Sequence, residues 1–236
     1  MEKGLQLTYN VGNTIDKPYR ELLGSLMYVM LCVRPDICYH VSYLGRFQQN
    51  PSEEHWQSLK RVLRYLKGTV KKKLIYTASD DNILVGYADA DWASDTTDRK
   101  SISGYIFKVY GCTVSWSSKK QQTVATSSSE AEYVALSSAV SEAIWLRGIL
   151  QDLDILKNET ITINEDNRGC ICMANNVKSK RSKHIDIRHH FIRDNVEKGV
   201  VKIESISTSD QLTDICTKSL DTKSFLNFCS CLGLYD

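Results

Sequence analysis

Carboxylates recur in this sequence where strands and helices are expected to begin or end. Asp89 and Asp91 close the apolar run ILVGYADAD, Glu130 and Glu132 open a long helical stretch, Asp166 follows ITINE, and Asp210 and Asp214 fall on the last helical segment before the C-terminal residues. An acid near the end of a buried strand is costly to keep ionised unless a cation or a hydrogen-bond donor compensates it. Several such acids converging on one pocket would form a divalent-metal site of hard oxygen ligands. Each acid also has a plainer role, because acids flanking strands form turns and acids opening helices complement the helix dipole. Glu130 fits a capping box begun by Ser127 and is assigned to it. Asp91 and Asp210 read as turn and cap residues, whereas Glu132 points to a different helix face and is free to ligate.

The elements that must carry these acids are legible from periodicity. Leu22, Leu23, Leu26, Met27 and Met30 recur at helical spacing, Pro35 interrupts, and Val41, Leu44 and Phe47 continue on a second helix. Asn50-Pro51-Ser52-Glu53-Glu54 restarts a third, whose apolar face would be Trp56, Leu59, Val62, Leu63 and Leu66 up to Gly68. The period then changes to strands: LIYTA, ILVGYADADW, SGYIFKVYG and CTVSWSSKK, the last two joined by a tight turn at Tyr110-Gly111. A long helix follows, with Val134, Ala135, Ala139, Ile144, Trp145 and Ile149 as its apolar residues. Then come the strand ITINED, a short helix NRGCICMANN, a basic loop VKSKRSK, a helix around DIRHHFIRDNVEKG, the strand VVKIESI and a final helix from about Asp210. The order predicts an α/β fold, a mixed sheet flanked by helices and preceded by a small helical segment.

Composition narrows the function classes. Of 236 residues 42% are hydrophobic and 25% charged, with 12 Gly and 3 Pro, which excludes collagen-like, mucin-like and wholly disordered chains. The longest nearly apolar stretch, Leu22 to Val33, is broken by Gly24 and Ser25 and falls short of the about 20 residues of a membrane span, so no membrane partner is expected. The first residues, MEKGLQLTYNVGNTI, lack a secretory signal's apolar core. Eight cysteines without a CxxC pair read as reduced, mostly buried thiols of an intracellular protein that is not secreted. The net charge of +2 conceals basic blocks: seven Lys or Arg and no acid in residues 60 to 73, and six against one Asp from Lys178 to Arg193. Two such blocks point to a polyanionic partner.

The strings YADADW, DRKSISGY, SWSSKKQ, SSSEAEYVAL, EDNRGC, KHIDIRHHFIRD and DQLTDICTKSL, in this order, resemble the ribonuclease H domain at the C-terminus of copia-type LTR retrotransposon Pol polyproteins. The earlier YRELLGSLMYV, RPDICYHVSYLGRF and LKRVLRYLKGT resemble the segment that joins reverse transcriptase to ribonuclease H in that family. The resemblance implies a ribonuclease H-like fold with a mixed five-stranded sheet. It implies a helical thumb- or connection-like segment over 1–70, a ribonuclease H-like domain over 71–220 and a tail over 221–236. The family's four acidic metal ligands fall on Asp89, Glu132, Asp166 and Asp214, with the glutamate second, which separates this reading from recombinases of the same fold.

The implied activity is hydrolysis of the RNA strand of RNA–DNA hybrids with two Mg²⁺ ions, or Mn²⁺ in their place. Asp89 would bridge both ions, Glu132 and Asp166 would hold the one nearer the leaving group, and Asp214 would help hold the nucleophile's ion. Ser127, Ser128, Ser129 and Asn167 are the expected sugar contacts, and Lys119, Lys120, Lys180, Arg181 and Lys183 the expected phosphate contacts. The implied partners are the hybrid and the upstream reverse transcriptase domain, and the implied location is a cytoplasmic virus-like particle or the nucleus. No YxDD motif is present, so polymerase activity is not expected from this chain. Thr213 stands where the family usually has Ala and Ser219 where it usually has Pro, and the alternative reading is a catalytically silent hybrid-binding or assembly remnant.

Overall fold

The computed structural model describes residues 7–77, 79, 83–175 and 186–236. The chain divides into two compact units, Met1–Ile75 with Lys218–Asp236, and Tyr76–Thr217. In chain order the elements are α1 (Tyr19–Cys32), α2 (Cys38–Gly45), α3 (Glu53–Gly68), β1 (Lys73–Leu74), β2 (Leu84–Asp91), β3 (Ile102–Val109), β4 (Cys112–Lys120), α4 (Ser128–Asp152), β5 (Ile161–Glu165), α5 (Arg168–Asn175), α6 (Asp186–Glu197), β6 (Val201–Ser205), α7 (Asp214–Thr217), α8 (Thr222–Cys231) and β7 (Leu234–Tyr235).

In the first unit Pro35 cannot continue the helix before it, and a 3-10 turn over Pro35–Ile37 redirects the chain into α2. Ser52 caps α3 reciprocally with His55, whose Nδ1 accepts from the Ser52 backbone N–H at 2.8 Å while its own N–H donates to Ser52 Oγ. The expected apolar face of α3 is corrected in part: Leu63 is 44% exposed and Trp56 half-buried, while His55 is buried and stacks on Phe47 with centroids 4.1 Å apart. An ion pair lies inside this unit. Arg34 Nε and Nη2 donate to Asp36 at 2.9 and 2.7 Å, and the Tyr65 hydroxyl donates to the same carboxylate at 2.6 Å. Residues 221–236, expected as a tail, supply α8 and β7: Phe225 lies edge-on to Tyr65, and Phe228, Cys229, Leu232 and Leu234 are buried. The expected strand LIYTA is reduced to β1, which pairs antiparallel with β7 in a two-stranded sheet of its own.

The second unit carries the five-stranded mixed sheet, in the order β4-β3-β2-β5-β6. β2, β3 and β4 are antiparallel neighbours, whereas β2–β5 and β5–β6 are parallel. Tyr110 and Gly111 both have positive φ, 48° and 75°, as a two-residue hairpin turn matching the twist of its strands requires. Ala88, Phe107, Leu136, Val140, Ile163 and Ile203 belong to one buried cluster that welds α4 to the sheet. The second half of α4 departs from expectation. Ala143, Leu146 and Leu150 face the core, while Ile144, Trp145 and Ile149 are 36%, 59% and 38% exposed. The helix expected from Asp210 is a 3-10 turn over Thr208–Asp210 followed by the four-residue α7. Cys38, Cys170, Cys216 and Cys229 are buried thiols as expected, but Cys32 and Cys172 are exposed.

Candidate active site

Parallel pairing sets the ends of β2 and β5 side by side, and the second turn of α4 comes against them. Asp89 lies near the end of β2, Glu132 on α4, and Asp166 one residue beyond β5. Carboxylate oxygens from these three residues lie within 4.8 Å of one another. Asp89 and Glu132 are buried and Asp166 partly exposed, so the cluster opens to solvent at one side. Thr217 Oγ1 donates to Asp89, and the backbone N–H of Ala90 donates to Glu132, which leaves Glu132 Oε2 buried without a hydrogen-bond partner. Burial, together with Glu165, Asp89 and Asp166 close by, pushes the Glu132 carboxyl far up from its ordinary value. Gln121 braces this corner: its Nε2 donates to Ser103 Oγ on β3 at 2.8 Å and to the Ala131 carbonyl at 2.9 Å.

Glu165 is a fifth acid that the reading of the sequence did not single out. It is fully buried, its Oε1 accepts from the Asn167 backbone N–H at 3.0 Å, and Oε2 has no partner. Burial pushes its pKa up to about 8. The signal that marks it is the period-two alternation of β5, which sets Ile161, Ile163 and Glu165 on the buried face.

Asp214 opens α7 and is buried, but it does not belong to the group of three. α7 packs on β2 and β3, and the fit is close at Gly104, which pairs with Asp89. A Cβ there would meet Thr213 Cγ2 and Thr217 Cγ2 at 2.8 Å, so the glycine of DRKSISGY lets α7 sit on the sheet. Upstream, Gln211 Nε2 donates to the Ala88 carbonyl at 2.9 Å and ties the approach to Asp214 onto β2. Thr213, the small departure from the family pattern, is fully buried.

The expected substrate contacts divide. Ser127 and Ser128 are exposed at the start of α4, and Ser127 Oγ caps the helix by accepting from the Glu130 N–H at 3.2 Å. Glu130 takes the capping role expected of it, although its carboxylate reaches Thr126 rather than Ser127. Ser129 Oγ donates to Asn167 Oδ1 at 3.0 Å, and the same oxygen accepts from the Cys170 N–H at 3.0 Å, so Asn167 caps α5 and locks it to α4. Lys119 is exposed on β4, opposite Ser103. Lys120 is already engaged, with Asp95 at 2.5 Å and Asp98 at 2.9 Å. Lys180, Arg181 and Lys183 lie outside the described residues.

No family model matches the chain. It is 42% identical over 91% of its length to the retrovirus-related Pol polyprotein from transposon TNT 1-94 of Nicotiana tabacum. It is 40% identical over 97% of its length to that from transposon RE2 of Arabidopsis thaliana. This chain belongs to the Pol polyproteins of copia-type LTR retrotransposons. It spans 16% of the length of each of these two relatives. Among solved structures, LC11-RNase H1 in complex with an RNA/DNA hybrid is 15% identical with a TM-score of 0.44, covering 57% of this Pol segment and 93% of that chain. The ribonuclease H-like arrangement of the Pol segment stands on its own strand order and directions. Among the described residues no helix is long and apolar enough to cross a membrane.

Proposed function

We propose that this chain is the ribonuclease H part of a copia-type Pol polyprotein and hydrolyses the RNA strand of RNA–DNA hybrids. The observation that carries the reading is the convergence of Asp89, Glu132 and Asp166 within 4.8 Å, from two strand ends and a helix. The donors are all hard oxygens, and a buried carboxylate oxygen of Glu132 has no partner within the protein, as a divalent-cation site requires. Two divalent ions, Mg²⁺ or Mn²⁺, held by Asp89, Glu132, Asp166 and Asp214 would supply an activated water and stabilise the leaving 3′ oxygen.

The chain's own residues fix the geometry. Thr217 orients Asp89, the Ala90 N–H orients Glu132, and the Asn167–Ser129 bond holds the turn bearing Asp166 against α4. Ser127 and Ser128, exposed at the start of α4, and Lys119 on β4 remain substrate contacts this reading assigns, with Ser129 and Asn167, bonded to each other, beside them. The upstream reverse transcriptase domain would deliver the hybrid. The domain limits of 1–70 for the helical segment, 71–220 for the ribonuclease H-like domain and 221–236 for the tail belong to the same reading.

The test is cleavage of an end-labelled hybrid in Mg²⁺ by the purified chain beside Asp89→Asn. Cleavage by the parent alone supports the reading, and equal background cleavage by both defeats it. Salt-dependent hybrid binding without cleavage would favour the silent remnant instead.

A further inference from the structure

We propose that the outward face of the second half of α4 pairs antiparallel with the same face of a second copy of this chain. Ile144, Trp145, Ile149 and Leu153 are exposed there, with Ile155 just beyond the helix. Ser138, Ser141, Trp145, Gly148 and Asp152 follow one another at alternating three- and four-residue spacing, the seam by which one helix lies along another. None of the five is buried. Gly148 sits in the helix interior, where glycine is destabilising relative to alanine, yet a Cβ there would meet nothing within 4 Å. The packing of the described residues therefore does not ask for glycine at this position, whereas a side chain from a neighbouring molecule would.

The face is complementary to itself. When two copies of α4 cross antiparallel about a twofold axis midway between Leu146 and Arg147, Trp145 lies opposite Gly148 and Ile144 opposite Ile149, and each pair occurs twice. The indole then fills the dent that the missing side chain leaves. Further out, Ser141 lies opposite Asp152 and Glu142 opposite Gln151, so each acid meets a hydroxyl or an amide and no like charges face each other. A pattern that reads the same in both directions is what a second copy requires and an unrelated partner does not. The area is also sufficient. Trp145 and Leu153 are 59% and 61% exposed, and Ile144, Ile149 and Ile155 36%, 38% and 37%. Together they leave on the order of 450 Å² of apolar surface per copy, within the range of the largest patch on an ordinary monomer. Two such patches with their polar rims reach about 1,200 Å², the lower end of a specific interface. At 1.5 Å per residue the axis lies about 22 Å along α4 from Glu132, so pairing leaves the two acidic sites open at opposite ends.

The inference does not rest on the hybrid reading, and its test needs neither substrate nor metal. The weight-average mass of the full chain in EDTA is followed by analytical sedimentation from about 1 to 100 μM, the range in which an interface of this modest size dissociates. The parent should rise toward twice the mass of one chain. I144K and I149E, each at an exposed position, should stay at the mass of one chain when alone. Mixed in equal amounts they should form a one-to-one dimer, because the introduced lysine then faces the introduced glutamate and the second pair remains isoleucine on isoleucine. G148L adds apolar surface but fills the dent, so it should remain a monomer, whereas unspecific stickiness would raise its mass. A parent that stays at the mass of one chain at about 100 μM, I144K or I149E dimerising alone as the parent does, no dimer in their mixture, or association of G148L equal to the parent's would each overturn the proposal. So would a monomeric parent whose residues 141–152 are shielded from hydrogen exchange by an added upstream reverse transcriptase segment.

Discussion

Asp89 has its carboxylate held by Thr217 and shares its space with two further acids, which makes it the residue whose charge matters most. Asp89→Asn keeps the shape and one acceptor oxygen, so we expect a folded chain with hybrid cleavage at background, checked by thermal melting beside the cleavage assay. Glu165 gives a second prediction. Its pKa in the fold is raised from 4.5 to about 8, so the folded state holds that proton more tightly than the unfolded chain. The resulting stability is complete below pH 4.5 and is lost as pH rises through about 8. The melting temperature of EDTA-treated protein should fall across this window, Mg²⁺ should recover much of the loss, and Glu165→Gln should make the fall shallower without abolishing it, because the Glu132 carboxyl is raised as well. A flat parent profile would contradict the assignment. The convergence of Asp89, Glu132 and Asp166 was foreshadowed because each sits in a motif whose order along the chain is distinctive, while Asp214, assigned by the same reading, lies outside the group of three. Glu165 was not, because its neighbour Asp166 carried the motif and a buried acid in a strand is unexpected on solvation grounds.

At the scale of elements, two glycines separate steric from conformational effects. Gly104→Ala would drive a methyl into Thr213 and Thr217 and lift α7 from β3. Overpacking of this kind costs about 1 to 3 kcal/mol, so the midpoint of denaturant unfolding should fall, and cleavage should fall with the displaced Asp214. Gly148→Ala lies in the interior of α4 where the new Cβ meets nothing within 4 Å, and should stabilise by about 0.5 to 1 kcal/mol. Urea unfolding of both variants reads the contrast directly. The helices α1 to α3 were visible from spacing and from punctuation at Pro35 and Pro51. The second half of α4 was not legible in the same way, because Ile144, Trp145 and Ile149 are apolar yet lie on its outward side. Side-chain type states what a face prefers, while the packing of the other elements decides which face is covered.

The whole molecule is organised by pairings between distant parts of the sequence. Deleting residues 218–236 would remove α8 and β7, uncovering Tyr65 and stripping β1 of its partner. Hydrogen exchange of the truncated chain should show weaker protection in α1 to α3 with protection kept in β2 to β6, whereas a dispensable tail would leave both unchanged. Asp36 supplies a related test. Asp36→Ala strands Arg34 as a buried charge, and breaking such a pair typically costs about 3 to 5 kcal/mol. That loss should register in the same helical amides. Local patterns could not reveal this arrangement: LIYTA has the composition of a strand, but its partner lies some 160 residues further along, in Leu234–Tyr235. The uneven charge, by contrast, was visible in the basic run from 60 to 73 before any fold was known.

Because the helical unit draws on both residues 1–75 and residues 218–236, its assembly brackets that of the sheet unit in time during synthesis. On the ribosome its helices emerge first but lack α8 and β7, and the complete sheet unit is exposed before those pieces arrive. The unit begun before the sheet unit is thus finished after it, an inversion of the usual order in which domains mature as they are translated.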